Sequence, residues 1–201
     1  LFVVAWLVPV AGSVFVCSLQ TVLRRRYVWA LFTSILYRPL SHLSSVVMVL
    51  LETYLGMAYL TEREQDLGSC RFLLWTLLSA GAVNAIFLLE MLLLSAMAGP
   101  RFWLDSNQGL WPLLLVCIVL RSEANPREPT SVFGLVYVPN RWYPAVLGGL
   151  LSLLSGGIIW NVAAALAVGH AHTFFQLDGR LLDPSLVGIL DRGRLSDVLH
   201  R

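Results

Sequence analysis

The stretch WNVAAALAVGHAHTFF, from Trp160 to Phe175, is an apolar run of small residues that ends in two histidines, His170 and His172. Histidine is costly inside a bilayer and is often retained there for chemistry. The stretch therefore presents two alternatives. Either one of the histidines is the base of an intramembrane enzyme, or the run is a helix that packs closely against its neighbours.

The rest of the chain has the composition of a membrane protein. Of its 201 residues, 57% are hydrophobic and only 13% are charged, whereas a soluble domain carries about 25% charged residues. The mean hydropathy is +0.73. Charged residues fall in short islands between long apolar runs, which predicts an integral membrane protein built as one bundle. No basic patch with interleaved aromatic residues indicates a nucleic-acid partner.

Cysteine and histidine usage predicts no metal centre and no disulfide. The three cysteines, Cys17, Cys70 and Cys117, are scattered and odd in number, and two of them lie in apolar runs. We therefore expect small buried thiols. A metal would need more ligands than His170 and His172 supply, and only the distant His42 and His200 remain. We expect neither a metal nor a cofactor.

Six apolar segments are candidates for membrane-spanning helices, because a bilayer core needs about 20 apolar helical residues. The fourth segment is too short to span alone unless Asp105–Gln108 begin it below the membrane surface, where polar residues must line a cavity or be buried in protein. We assign residues 1–176 to this helical domain and residues 177–201 to a short amphipathic tail. The segments are 1–19, 42–60, 72–98, 109–120, 142–155 and 158–175.

The connection between the first two segments, residues 20–41, is long and basic, and we call it loop 1. Its second half, Tyr27–Tyr37, is amphipathic and aromatic, which suits a helix lying in the membrane interface. Its arginines are candidates for contacts with lipid headgroups, although such a run is more often a solvated loop or a topology signal. They are Arg24, Arg25, Arg26 and Arg38.

Two carboxylates, Glu52 and Glu90, lie within the second and third apolar segments. Ionisable residues inside a membrane are functional candidates by default. We favour hydrogen bonding between helices or subunits over proton transfer for both buried carboxylates. Glu90 is expected to be neutral, or paired with an arginine or a hydroxyl group.

An intramembrane serine protease would need a nucleophile and a base within hydrogen-bonding reach, together with an oxyanion site. The candidate base is His170 or His172. The candidate nucleophile is Ser106, within the sequence DSNQG that precedes the fourth segment.

From Val28 onward, short motifs in the chain resemble the rhomboid-like superfamily, and specifically its derlin branch. Around the first loop, Trp29 matches the family's Trp-Arg pair, but Ala30 replaces the arginine. The sequence RSEANPREPTSVFGLVYVPNRWYPAVLGG resembles the region between the fourth and fifth helices of derlins. The end of the sixth segment resembles the Asn…Val-Gly-His pattern of their sixth helix. Matching residues are Trp29, Asn125, Pro126, Phe133, Gly134, Leu135, Tyr143, Pro144, Asn161, Val168, Gly169 and His170.

The resemblance implies an all-α polytopic bundle of six helices with an interfacial helix in loop 1, and it also implies that catalysis has been lost. Placing the last glycine of the family's Gly-x-Ser-Gly motif on Gly109 puts Gln108 in the serine position and Val162 in the histidine position. Neither side chain can do that chemistry. Ser106 is out of register by about 200° around a helix, and His170 lies about 12 Å beyond Val162 along the axis.

If catalysis has been lost, the sixth segment has a packing role. Ala165 and Gly169 form a small-xxx-small face, which permits close approach of a neighbouring helix. The family pattern has glycine at the position of Ala165. We expect His170 and His172 to lie at the membrane interface and to bond loop backbone or headgroups.

Two non-catalytic functions follow from these observations. The first, implied by the resemblance, is handling of misfolded or membrane-protein clients in degradation at the endoplasmic reticulum membrane, with an AAA ATPase and ubiquitin ligases as partners. In that reading, Tyr27–Tyr37 and the region 105–111 would form a lateral groove. The alternative is an accessory subunit of a large membrane complex, for example a respiratory or ATP synthase assembly in the mitochondrial inner membrane, which binds lipid and neighbouring subunits.

Overall fold

The computed structural model describes residues 14–39, 43–132, 134, 136–154 and 159–177, and these residues are mostly helical. The α-helices are α1 (Ala30–Thr33), α2 (Leu43–Leu67), α3 (Ser69–Ala98), α4 (Trp111–Ala124), α5 (Tyr143–Leu154) and α6 (Trp160–Phe175). The strands are β1 (Cys17–Ser18), β2 (Ser106–Asn107), β3 (Pro129–Val132) and β4 (Val136–Pro139). A π-helical turn covers Gln20–Arg24, and 3-10 turns cover Ser34–Leu36, Pro100–Trp103 and Asn140–Trp142.

Helices α2, α4 and α6 run in one direction. Glu62 near the end of α2 pairs with Arg121 near the end of α4, and Glu123 of α4 approaches His170 near the end of α6. Helices α3 and α5 connect them and run in the opposite direction. The bundle thus has two ends, which we name the β1–β2 end and the β3–β4 end after the antiparallel strand pairs located there.

The short helix α4 forms the centre of the bundle. Every residue from Trp111 to Val119 is buried, and the helix packs against α2, α3, α5 and α6. A helix that is apolar on all sides needs cover on all sides. Its neighbours supply that cover, so α4 does not depend on lipid or water for contacts.

The strand pairs correct the all-α prediction. Thr130, Val132, Val136 and Val138 favour extended backbone because they are β-branched, and Gly134 with a φ of 74° lies in the turn between β3 and β4. At the other end, β1 joins β2 through only two residue pairs, Cys17 with Asn107 and Ser18 with Ser106.

Loop 1 is helical over a shorter stretch than predicted. The interfacial helix expected over Tyr27–Tyr37 consists of α1 and the following 3-10 turn. Trp29 and Phe32 are exposed, whereas Ala30 and Ile35 are buried, so the stretch is amphipathic. The Phe32 ring lies so close to Gly81 of α3 that a Cβ there would be 2.9 Å from it.

Helix length also qualifies the prediction of six spanning segments. In the described part of the chain, α3 is the one helix long and apolar enough to cross a membrane, with a mean hydropathy of 2.1 over an 18-residue stretch. Helices α4, α5 and α6 have 14, 12 and 16 residues, and α2 ends in the charged sequence TEREQDL. Two predicted parts lie mostly outside the described residues. Of the predicted first segment only residues 14–19 are described, and of the predicted tail only Leu177.

Replacing Gly169 with alanine is expected to destabilise the bundle. An added Cβ would lie 2.7 Å from the Cβ of Val119 in α4, and overpacking of this kind costs about 1–3 kcal/mol, which exceeds the helix-propensity gain of up to about 1 kcal/mol. The measurement is thermal unfolding in detergent, followed by tryptophan fluorescence.

Gly149→Ala is the matched control, because no atom lies within 4 Å of a Cβ at that position. It should be neutral or slightly stabilising. The Gly169 variant should recover stability when combined with Val119→Ala. Equal melting temperatures for the two glycine variants would contradict close packing of α6 on α4.

Candidate functional site

Three asparagine side chains and one serine form a buried chain at the β1–β2 end. Asn161 of α6 donates to the Oδ1 of Asn107 (2.9 Å), and Asn107 of β2 donates to the Oδ1 of Asn84 (2.8 Å). Asn84 of α3 donates to the Leu31 carbonyl (2.6 Å) and to the Oγ of Ser34 (3.0 Å). Asn84, Asn107 and Ser34 are buried. We call these four residues, Asn161, Asn107, Asn84 and Ser34, the amide chain.

The amide chain joins four segments that are far apart in sequence. It connects α6, β2, α3 and loop 1, and the backbone N–H of Gly109 adds a further bond to the Ser34 carbonyl at 3.0 Å. A buried amide without a partner costs about 1–3 kcal/mol. Each of these polar groups therefore depends on correct docking of the others.

The start of α4 is held by a buried ion pair. The Nη2 of Arg38 lies 2.5 Å from the Oε1 of Glu52, whose side chain is 1% exposed. The Glu52 carboxylate also lies against the backbone amides of Leu110 and Trp111, where the positive end of the helix dipole favours an anion. Gly109 has a φ of 86°, and a Cβ there would lie within 3 Å of both Arg38 and Glu52.

These contacts revise two expectations. Arg38 is half-buried and paired with Glu52, so it is not a free headgroup contact, whereas Arg24, Arg25 and Arg26 are exposed. Glu52 of α2 pairs with Arg38, which lies in the connection before α2. Next to the ion pair, burial raises the pKa of the Tyr37 phenol above its ordinary value.

Glu90 has neither of its expected partners. It is half-buried on α3, and its Oε2 has no hydrogen-bond partner among the described residues. The one hydroxyl in the surrounding sequence FLLEMLLLSA belongs to Ser95, which donates to the Leu92 carbonyl. The expectation that Glu90 is neutral, or paired with an arginine or a hydroxyl group, stays a prediction, and the described residues show no such partner for its Oε2.

Gln108 and Val162 are the two residues that the resemblance to rhomboids predicts at the positions of the catalytic pair. Gln108 is half-buried beside Asn107, and Val162 is buried in α6. Val162 faces α5, because a Cβ on Gly148 would lie 2.6 Å from its Cγ1. Neither side chain can act as a nucleophile or as a base.

The two histidines lie in different environments. His170 is exposed, with its Nδ1 3.5 Å from the Oε1 of Glu123. His172 is buried and contacts a side chain of α3, and its expected place at the membrane interface stays a prediction. Its Nε2 is 3.3 Å from the Oγ of Ser79, and its ring lies 6.2 Å from that of Trp75.

Ser79 and His172 superficially resemble a nucleophile and a base. Ser79 is 0% exposed in the middle of α3, so no substrate can reach it without separating α3 from α6. Ser106, the serine considered from the sequence, is half-buried in β2 at the opposite end of the bundle from His172. The structure therefore does not bring Ser106 and His172 together.

The small residues of α6 lie against α4. Ala165 and Gly169 are both buried, and the Cβ position of Gly169 meets Val119. This contact brings the two helix backbones close together and orients Asn161, two turns before Gly169, towards β2.

The motif residues after α4 form a turn at the β3–β4 end. The Asn125 carbonyl accepts a bond from the Asn140 side chain (2.9 Å), and the Pro126 carbonyl accepts one from the Arg141 amide (3.2 Å). Thr130 donates to the Oδ1 of Asn140. Of the remaining motif residues, Trp29 is exposed on loop 1, whereas Phe133 lies outside the described residues, as does Leu135.

The amide chain was only partly visible in the sequence. The sequence marks Asn161 as a motif position and places Asn107 among the polar residues 105–108 that are expected to line a cavity or be buried, but it does not predict the role of Asn84. The available signal was that an asparagine within an apolar helix needs a polar partner. The partner's position depends on tertiary contacts that span 23 residues between Asn84 and Asn107 and 54 residues between Asn107 and Asn161.

Comparison with protein-family models and with curated proteins gave no match.

Asn84→Ala is expected to destabilise the protein by about 2 kcal/mol or more, because it leaves buried groups of Ser34 and Asn107 without partners. Asn125→Ala is the matched control, since the Asn125 side chain is exposed, and it should change stability by less than about 0.5 kcal/mol. Thermal unfolding of both variants tests this. Similar stability of the two would show that the amide chain does not hold the fold together.

Arg38→Gln is expected to cost about 3 kcal/mol, because it leaves the buried Glu52 carboxylate without its partner. Arg121→Gln breaks the Arg121–Glu62 pair at 2.6 Å, but both of those side chains are at least half exposed. That change should cost about 1 kcal/mol or less. If the two arginine variants unfold at the same temperature, the Arg38–Glu52 pair does not anchor α4.

Proposed function

We propose that this protein is embedded in a membrane. The exposed faces of α2 and α3 support this, because large apolar side chains lie on the outside of both helices. On α2, Val47, Leu50, Tyr54 and Met57 share one face and are 57–73% exposed, an arrangement suited to lipid. Only 33% of the most apolar 18-residue stretch of α3 is buried inside the protein. The core helix of a soluble protein is mostly buried.

We further propose a rhomboid-like, derlin-type architecture without catalysis. Support comes from the short central α4 and from the alternating directions of α2 to α6. The single observation that carries the non-catalytic function is the amide chain. A protease would need its nucleophile and base in this region, but the amide chain fills the region with side chains that bond one another. In the proposed alignment, Gln108 and Val162 occupy the catalytic positions.

Of the two non-catalytic roles, we favour a structural accessory subunit of a larger membrane assembly, because hydrogen bonds hold loop 1 against α3 and the start of α4. Client handling by a derlin-type protein requires a groove between loop 1 and the start of α4. In that region Asn84 bonds the Leu31 carbonyl and Gly109 bonds the Ser34 carbonyl, so loop 1 is fastened over the start of α4. Opening this groove would break several buried hydrogen bonds at once.

The β3–β4 end offers a surface for neighbouring subunits. Val136, Tyr137 and Trp142 are 58–73% exposed there. Tyrosine and tryptophan are common both at the membrane interface and at protein interfaces. A structural subunit would use this hairpin for contact with another chain.

The test is isolation of the native protein in mild detergent, followed by sizing and mass spectrometry of the co-purifying chains. We expect stoichiometric recovery within one large membrane complex. Recovery with an AAA ATPase and ubiquitin ligases would overturn the structural role in favour of client handling. Recovery as a free monomer would contradict both roles.

A matched pair of variants sharpens the test. Tyr137→Ser alters an exposed side chain on the hairpin and should weaken recovery of partners without lowering the melting temperature. Tyr54→Ser, an equally exposed residue on the outer face of α2, is the control and should leave recovery unchanged. Equal recovery with both variants would show that the hairpin does not contact a partner.

A further inference from the structure

The two loops at the β1–β2 end are strongly basic. Residues 20–41 and 99–110 together contain Arg24, Arg25, Arg26, Arg38 and Arg101, and a single acidic residue, Asp105. Arg38 is paired with Glu52. The remaining arginines give this end a positive surface, which attracts anionic groups.

One groove of 450 Å³ lies between these two loops, and it is lined by Gln20, Arg24, Pro100, Trp103 and Leu104. Gln20 and Arg24 come from the π-helical turn after β1. Pro100, Trp103 and Leu104 follow the C-terminal end of α3. The groove therefore has one polar, cationic side and one apolar side.

The position of the groove matches the headgroup layer of a bilayer crossed by α3. Ala98 ends α3, and the groove begins two residues later at Pro100. Leu104 is 70% exposed beside it, and Trp103 is of the residue type enriched at the membrane–water boundary. An apolar surface and a guanidinium group thus lie next to each other at that depth.

We propose that this groove binds an anionic glycerophospholipid, with the phosphate on Arg24 and the upper acyl chain against Trp103 and Leu104. Arginine suits a phosphate because its planar fork can donate two parallel hydrogen bonds. The five lining residues include no carboxylate, so the ammonium group of a zwitterionic lipid finds no counter-charge in the groove. The proposal rests on the proposed membrane location and not on the identity of any protein partner.

The test is native mass spectrometry of the delipidated protein in detergent, titrated with phosphatidylglycerol or with phosphatidylcholine. Wild-type protein should retain phosphatidylglycerol in preference to phosphatidylcholine. Arg24→Gln should weaken retention of phosphatidylglycerol about fivefold, the effect expected of one arginine near an anionic lipid surface. Equal retention of the two lipids by the wild-type protein would overturn the proposal.

Arg127→Gln is the matched control, because Arg127 is also exposed but lies between α4 and β3, at the other end of the bundle. It should retain phosphatidylglycerol as the wild type does, and an equal loss in both variants would show only diffuse attraction. Displacement of the lipid by millimolar inorganic phosphate would identify a site for free phosphate and overturn the lipid assignment. These lipid-binding measurements do not depend on which proteins co-purify. Their failure can therefore be distinguished from failure of the proposed structural role.

Discussion

A polar side chain buried in an apolar bundle must find its partners inside the protein, and at the β1–β2 end three asparagines and a serine bond one another. Asn84 is central, because its amide group bonds two groups of loop 1 and accepts a bond from Asn107. Since each bond needs the next segment in place, the network couples the docking of loop 1, β2 and α6.

The need to pair buried polar groups inside the protein also accounts for the contacts at the start of α4. A 14-residue helix spans about 21 Å, which is less than the hydrocarbon core of a bilayer, about 30 Å. In the membrane location that we propose, an end of so short a helix lies within the apolar layer, where the unpaired backbone amides of a first turn are costly. Glu52 lies against two of those amides and Arg38 balances its charge, while Gly109 leaves the space that both side chains occupy.

Features that depend on local composition could be predicted from the sequence. The apolar runs of α3, α4 and α6 located these helices to within a few residues, and the small residues Ala165 and Gly169 indicated a closely packed face. The β1–β2 pair could not be predicted, because two residue pairs leave no periodic signal. The contacts of Asn107 were also hidden, since its partners lie on helices whose packing is set by the whole bundle.

The histidines at the end of α6 show why residue type alone does not define a site. Two residues apart on a helix, they are separated by about 200° and must face different surroundings. His170 accordingly lies on the exposed side near Glu123, while His172 faces α3 and contacts Ser79. A serine beside a histidine makes a hydrolase only where substrate and water can reach the hydroxyl and an oxyanion can be stabilised. Ser79 is fully enclosed, so its contact with His172 joins α3 to α6 as Asn84 and Asn107 join α3 to β2.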